Sequence, residues 1–157
     1  MAGILIIAHA PLATALRDCL AHVYGGCPVH IGTLDVLPDC DPALVVQQAT
    51  SQLESLREEN GALVLTDMFG ATPSNIASKL AALPEVRVLA GVNLPMLVRA
   101  VCYRTLPLEA LADKALAGGS QGVHAIGPAS PALVTDRNCI PSPCAEQAAG
   151  KLKPAGT

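Results

Sequence analysis

The chain contains no tryptophan, and its 157 residues include one phenylalanine, Phe69, and two tyrosines, Tyr24 and Tyr103. Flat aromatic walls for stacking bases or enclosing a planar cofactor are therefore scarce, and the core must be aliphatic. Charge is sparse as well. Asp, Glu, Lys and Arg make up 15% of residues and the formal net charge is −3, which leaves no basic footprint for nucleic acid. No apolar run approaches the roughly 18 residues of a membrane span, and the first residues lack the basic flank and cleavage site of a secretory signal. A cytoplasmic protein, not embedded in a membrane, is expected. No G-x-x-x-x-G-K or G-x-G-x-x-G follows an apolar run, so direct nucleotide binding is unsupported. The six cysteines show no disulfide framework. Cys19, Cys27, Cys40 and Cys102 read as reduced thiols, and the C-x4-C pair Cys139 and Cys144 is compatible with a metal or a disulfide but lacks the second pair of a tetrahedral metal site. Neither a metal nor a cofactor is expected.

What is abundant is aliphatic sequence in short alternating blocks. Half the chain, 51%, is hydrophobic, enough for one domain with a real core. Residues 3–8 (GILIIA) form a continuous apolar run bounded by turn signals, as in a parallel strand covered on both faces. Leu12, Ala15, Leu16, Cys19, Leu20 and Val23 then recur at helical spacing until Gly25 and Gly26. Strands are expected again at 29–34 (VHIGTL), 61–66 (GALVLT) and 86–90 (VRVLA). Helices are expected at 42–59, 72–83, 95–104 and 107–117, and one last strand at 122–129 (GVHAIGPA). Residues 1–129 form the expected domain; residues 130–157, punctuated by Pro131, Pro141, Pro143 and Pro154, read as a flexible tail.

Repeating strand and helix units predict an α/β fold, a three-layer open and mostly parallel sheet with helices on both faces. In the common strand order 2-1-3-4, the crossover direction reverses between strands one and three, and a crevice opens beyond their carboxyl ends. His9 is the first residue past strand one and Asp67 the first past strand three, so that order makes them face each other. A carboxylate on one ring nitrogen fixes the tautomer and leaves the other nitrogen's lone pair free as a nucleophile. The same pairing occurs in metal sites and hydrolases.

The segment "MFGATPSNIASKL" after Asp67 adds an anion cradle: Gly70 and Ala71 lead into a helix whose first N–H groups are unpaired, and Thr72, expected at the N-cap, adds a hydroxyl. Ser74, Asn93 and Asp35 are candidate walls of the same crevice. His22, His30 and His124 read as structural. Spacing by itself does not choose phosphate over another anion.

Three segments together, "ILIIAHAPLATAL", "VLTDMFGATPSNIA" and "VLAGVNLPML", resemble the enzyme IIA domain of the mannose family of the bacterial sugar phosphotransferase system, across residues 2–127. The resemblance implies a phosphotransferase: a phosphocarrier that accepts a phosphoryl group on His9 from the histidine-containing phosphocarrier protein and passes it to a IIB component in sugar uptake. It implies Asp67 as the partner of the other ring nitrogen and Thr72 as a phosphate-side hydroxyl where members often have Ser. It also implies a homodimer in which the last strand, Val123 to Ile126, crosses to the partner's sheet, and association with a membrane permease. Two positions depart from the pattern, since many members carry a hydroxyl or Gly before the histidine and Gly after it, and this chain has Ala8 and Ala10. A regulatory carrier that signals nutrient status without its own permease is the alternative. A small-ligand binding module, with His9 and Asp67 as ligand-holding groups, is a third reading.

Overall fold

β1 (Gly3–His9) is buried along its first six residues and exposed only at His9. It lies between β2 (Ile31–Val36) and β3 (Ala62–Thr66), with β4 (Val86–Ala90) beyond β3; all pairs are parallel and the order is β2-β1-β3-β4. The computed structural model describes residues 1–128, so the expected tail, with Cys139 and Cys144, lies outside the described residues.

Alternate side chains of β1 feed two cores, which is why its sequence shows no polar face. Ile4, Ile6 and Ala8 pack with α1 (Leu12–Tyr24), α4 (Leu94–Tyr103) and α5 (Leu108–Gln121) on one side. Leu5 and Ile7 pack with α2 (Pro42–Leu56) and α3 (Thr72–Leu80) on the other. Helices therefore cover both faces, and the reversal of crossover direction falls between β1 and β3, as the order requires.

Several boundaries differ from the sequence reading for identifiable reasons. β2 starts two residues late because His30 takes a left-handed conformation with φ 58°, which ends any strand before it; it also runs on to Val36, so Asp35 lies inside β2 and not in the loop beyond. α2 stops at Leu56, where Arg57 turns extended (ψ 135°), and the chain reverses through Gly61, whose N–H donates to Glu58 O. α3 ends at Leu80, and a turn from Leu83 N–H to Leu80 O leads into Pro84. α5 runs on to Gln121 through Gly118 and Gly119, which look like a stop in sequence. Those glycines are a packing device: a Cβ on Gly118 would meet Arg99 Cγ at 2.3 Å and Pro95 O at 3.2 Å on α4.

The strand expected over 122–129 does not form among the described residues. Residues 123–127 carry no strand, and Val123 and Ile126 are 76% and 94% exposed. The chain leaves α5 at Gly122, where neither edge of its own sheet takes it up. Cys102 also departs from the reading as a reduced thiol, since it is disulfide-bonded; its isolated place in the α4 pattern carries no sign of a partner. Among the described residues, Cys19, Cys27 and Cys40 are free thiols. No helix among the described residues is long and apolar enough to cross a membrane.

Candidate functional site

His9 closes β1 beside Asp67, the first residue after β3, and one carboxylate oxygen holds the histidine twice. Asp67 Oδ2 accepts the His9 backbone N–H at 2.9 Å and lies 2.7 Å from the ring Nδ1. Oδ1 accepts the Met68 N–H at 2.8 Å. Burial pushes the Asp67 carboxyl up, but the hydrogen bonds from the His9 backbone, the His9 ring and the Met68 backbone together outweigh it and hold the group below its ordinary value. A carboxylate held in that way is ionised at neutral pH and only accepts, so Nδ1 carries the hydrogen and, in the neutral ring, Nε2 keeps its lone pair. The imidazole is half exposed, at 49%, while the Asp67 side chain is 11% exposed. The aspartate is thus walled in and the ring presented.

The loop after Asp67 turns at Gly70, whose φ of 83° suits glycine. Ala71, not Thr72, takes the N-cap position, without a side-chain cap bond. Thr72 is therefore the first helical residue, with Pro73 behind it, and it is exposed. The shift has a simple cause: proline fits the first turn, and the extended residue before the helix (ψ 172°) is Ala71. Two N–H groups of the expected cradle are already used, because Ala71 N–H donates to Met68 O and Gly70 N–H points at Ser74 Oγ. The Thr72 hydroxyl and the N–H groups of Thr72 and Ser74 have no bonding partner among the described residues.

Three candidate walls turn out to hold the scaffold. Ser74 is buried, with its hydroxyl turned to the Gly70 N–H. Asn93 caps α4, accepting the Met96 N–H at 2.9 Å, and donates Nδ2 to Gly119 O at 3.0 Å, which ties α4 to α5. Asp35 faces α1, where both oxygens bind Thr14. His30 pairs with Glu58 at 3.0 Å, at the opposite end of the sheet from His9. Among the described residues no group of three or more His, Cys, Asp or Glu side chains is arranged to hold a metal ion.

The sequence reading missed the apolar rim. Leu12, Leu37, Met68 and Phe69 are exposed at 39%, 62%, 59% and 87%, and each adjoins a segment that holds His9. Large apolar residues within a few positions of a strand's carboxyl end were the available signal.

The model of the family described as PTS system fructose IIA component, EIIA-man, matches residues 3–116. The chain belongs to this family. It is 32% identical over 100 residues to the mannose-specific EIIAB component of Escherichia coli strain K12, a match covering 62% of this chain and 31% of that protein. The chain thus spans about a third of the length of the mannose-specific relatives it matches. It is 28% identical over 96 residues to the sorbose-specific EIIA component of Lacticaseibacillus casei, covering 60% of this chain and 68% of that protein. The crystal structure of phosphotransferase system component EIIA from Streptococcus agalactiae superposes with a TM-score of 0.72 at 25% identity, over 80% of this chain and 97% of that one. A mannose/sorbose-specific IIA subunit from Enterococcus faecalis, at 22% identity and a TM-score of 0.71, shares the fold over 80% and 95% of the two chains. EIIA components are phosphotransferases that carry a phosphoryl group in sugar transport.

Proposed function

We propose that this chain carries the phosphoryl group on His9 Nε2, receiving it from the histidine-containing phosphocarrier protein and delivering it to a IIB component. The observation that carries this reading is the single Asp67 oxygen that fixes both the backbone and the ring of a half-exposed histidine. The Nε2 lone pair attacks the donor's phosphorus, the new N–P bond forms as the donor's P–N bond breaks, and the donor ring leaves with that electron pair. Positive charge gathers on the His9 ring, and the ionised Asp67 at Nδ1 stabilises it. The Thr72 hydroxyl and the open N–H groups at the start of α3 suit the incoming oxygens.

The apolar rim of Leu12, Leu37, Met68 and Phe69 favours a protein as donor, since a small phosphate ester gains little from such a surface. Homodimerisation through residues 123–126 is supported by the exposure of Val123 and Ile126, which exchange onto a partner's sheet would cover.

The test is incubation with phosphoenolpyruvate and the general phosphotransferase proteins. The chain gains an acid-labile, alkali-stable phosphate, and His9→Ala abolishes it; a label that survives His9→Ala places the chemistry elsewhere, and no label in the wild type leaves the ligand-binding reading. Asp67→Ala keeps the fold, because its site is at the mouth and not in the core, and slows labelling by about tenfold or more. That figure corresponds to the lower end of a charge-assisted bond worth roughly 1.5–3 kcal/mol, the ring being half in water.

A further inference from the structure

The helix that follows His9 begins without a cap of its own. Pro11 stands at the N-cap of α1 with no side-chain cap bond, and the first turn holds no acidic residue. A neighbouring strand supplies what is missing. Asp35 of β2 gives both carboxylate oxygens to one residue of α1: Oδ1 accepts the Thr14 backbone N–H at 3.2 Å, and Oδ2 accepts the Thr14 hydroxyl. Thr14 is the third residue of the helix, so its N–H is one that the helix leaves unpaired. Both residues are half-buried.

This clamp lies one turn from the reacting ring. Asp35 stands opposite Ala8 in the sheet, Val36 stands opposite His9, and Val36 O accepts the Ala10 N–H at 3.0 Å. The end of β2 thus grips the chain on both sides of the turn that leaves His9, through Val36 at Ala10 and through Asp35 at Thr14. From the other flank, β3 holds His9 through Asp67.

We propose that Asp35, acting through Thr14, is a positioning residue for His9. It fixes the turn between β1 and α1, and so holds the ring where Nδ1 meets Asp67 and Nε2 faces out. A carboxylate suits this task because it accepts two hydrogen bonds at once; an amide of the same shape keeps the second bond only if the Thr14 hydroxyl turns round to accept, and it loses the charge that strengthens both. The inference concerns ring geometry, and its rate readout rests on the phosphocarrier reading.

Wild type, Thr14→Val, Thr14→Ser and Asp35→Asn are compared by two measurements on the full chain. One is the rate of labelling from phosphoenolpyruvate through the general phosphotransferase proteins; the other is the nitrogen NMR signature of the His9 ring. Thr14→Val and Asp35→Asn, held at temperatures where circular dichroism shows them folded, lose about tenfold in maximal rate with KM for the phosphorylated donor unchanged. Their ring signals move away from the single Nδ1–H tautomer, and Thr14→Ser restores both readouts. A clamp that only supports the helix would lower Tm while leaving the tautomer and the rate of the folded molecules alone, and that result overturns the proposal. Should Thr14→Val fail to fold, Asp35→Asn, which keeps the shape of the side chain, carries the test. A wild type that takes no label while its ring spectrum responds to Thr14→Val sinks the phosphocarrier reading and leaves the positioning role standing. Variants that label and titrate like a labelling wild type sink the positioning role alone.

Discussion

Asp67 accepts from four donors with two oxygens: the His9 backbone and ring on Oδ2, and the Met68 N–H and, at 3.5 Å, the Thr66 hydroxyl on Oδ1. Its carboxyl is held below the ordinary value of 3.8, so ionisation is easier in the folded chain than in the unfolded one. The stability this supplies is complete above the unfolded value and is lost as pH falls through the folded one. Thermal unfolding followed from about pH 6 down to about pH 2.5 therefore shows an acid-side loss of Tm, and Asp67→Asn flattens that part of the curve. A variant with the same acid slope as the wild type would remove Asp67 from the account. At this scale the meeting of His9 and Asp67 was legible because each falls where an apolar run stops. The roles of Asp35, Ser74 and Asn93 were hidden, because their partners, Thr14, Gly70, Met96 and Gly119, include residues brought near only by the fold or by a local cap. No spacing rule distinguishes a carboxylate that binds a helix end from one that lines a cleft.

Elements were easier to find than to delimit. The four strands and five helices of the described residues follow from apolar periodicity, whereas their ends depend on backbone conformations and contacts that periodicity does not encode. His30 delays β2, and Gly118 and Gly119 keep α5 going where a glycine pair suggests an end. Gly61, just ahead of β3, shows how tight one such joint is. It has φ 74°, and a Cβ there would lie 2.2 Å from Glu85 O. Backbone cannot yield as a flexible side chain does, so Gly61→Ala costs about 1–3 kcal/mol or more in unfolding free energy, measured by urea titration. Gly26→Ala, at a position with nothing within 4 Å, serves as the control and stays within about 0.5 kcal/mol of wild type.

On the scale of the whole molecule, the two ends of the sheet are unlike. The carboxyl end carries His9, Asp67 and the rim of exposed Leu12, Leu37, Met68 and Phe69. The segment after α5, with Val123 and Ile126 in water, offers a second apolar surface. Asp substituted for both Val123 and Ile126 is expected to leave the chain folded and shift it from dimer to monomer in sedimentation equilibrium. A wild type that is already monomeric at high concentration would remove the exchange. The architecture was readable because a chain with an aliphatic core and regular block lengths has few ways to cover both faces of a parallel sheet. The strand expected over 122–129 was misread: residues 123–127 carry apolar side chains but no strand.

β1 is sealed by helices above and below, and by a strand on each side, along all but its last residue. Its tip is held from both flanks, by Val36 through Ala10 and by Asp67 through the His9 backbone and ring, so the imidazole is a fixed post and not a swinging arm. Handing over cargo at such a post leaves travel and alignment to the visitor. Turnover would then follow the encounter rate and the visitor's grip, with solvent viscosity and ionic strength as its dials.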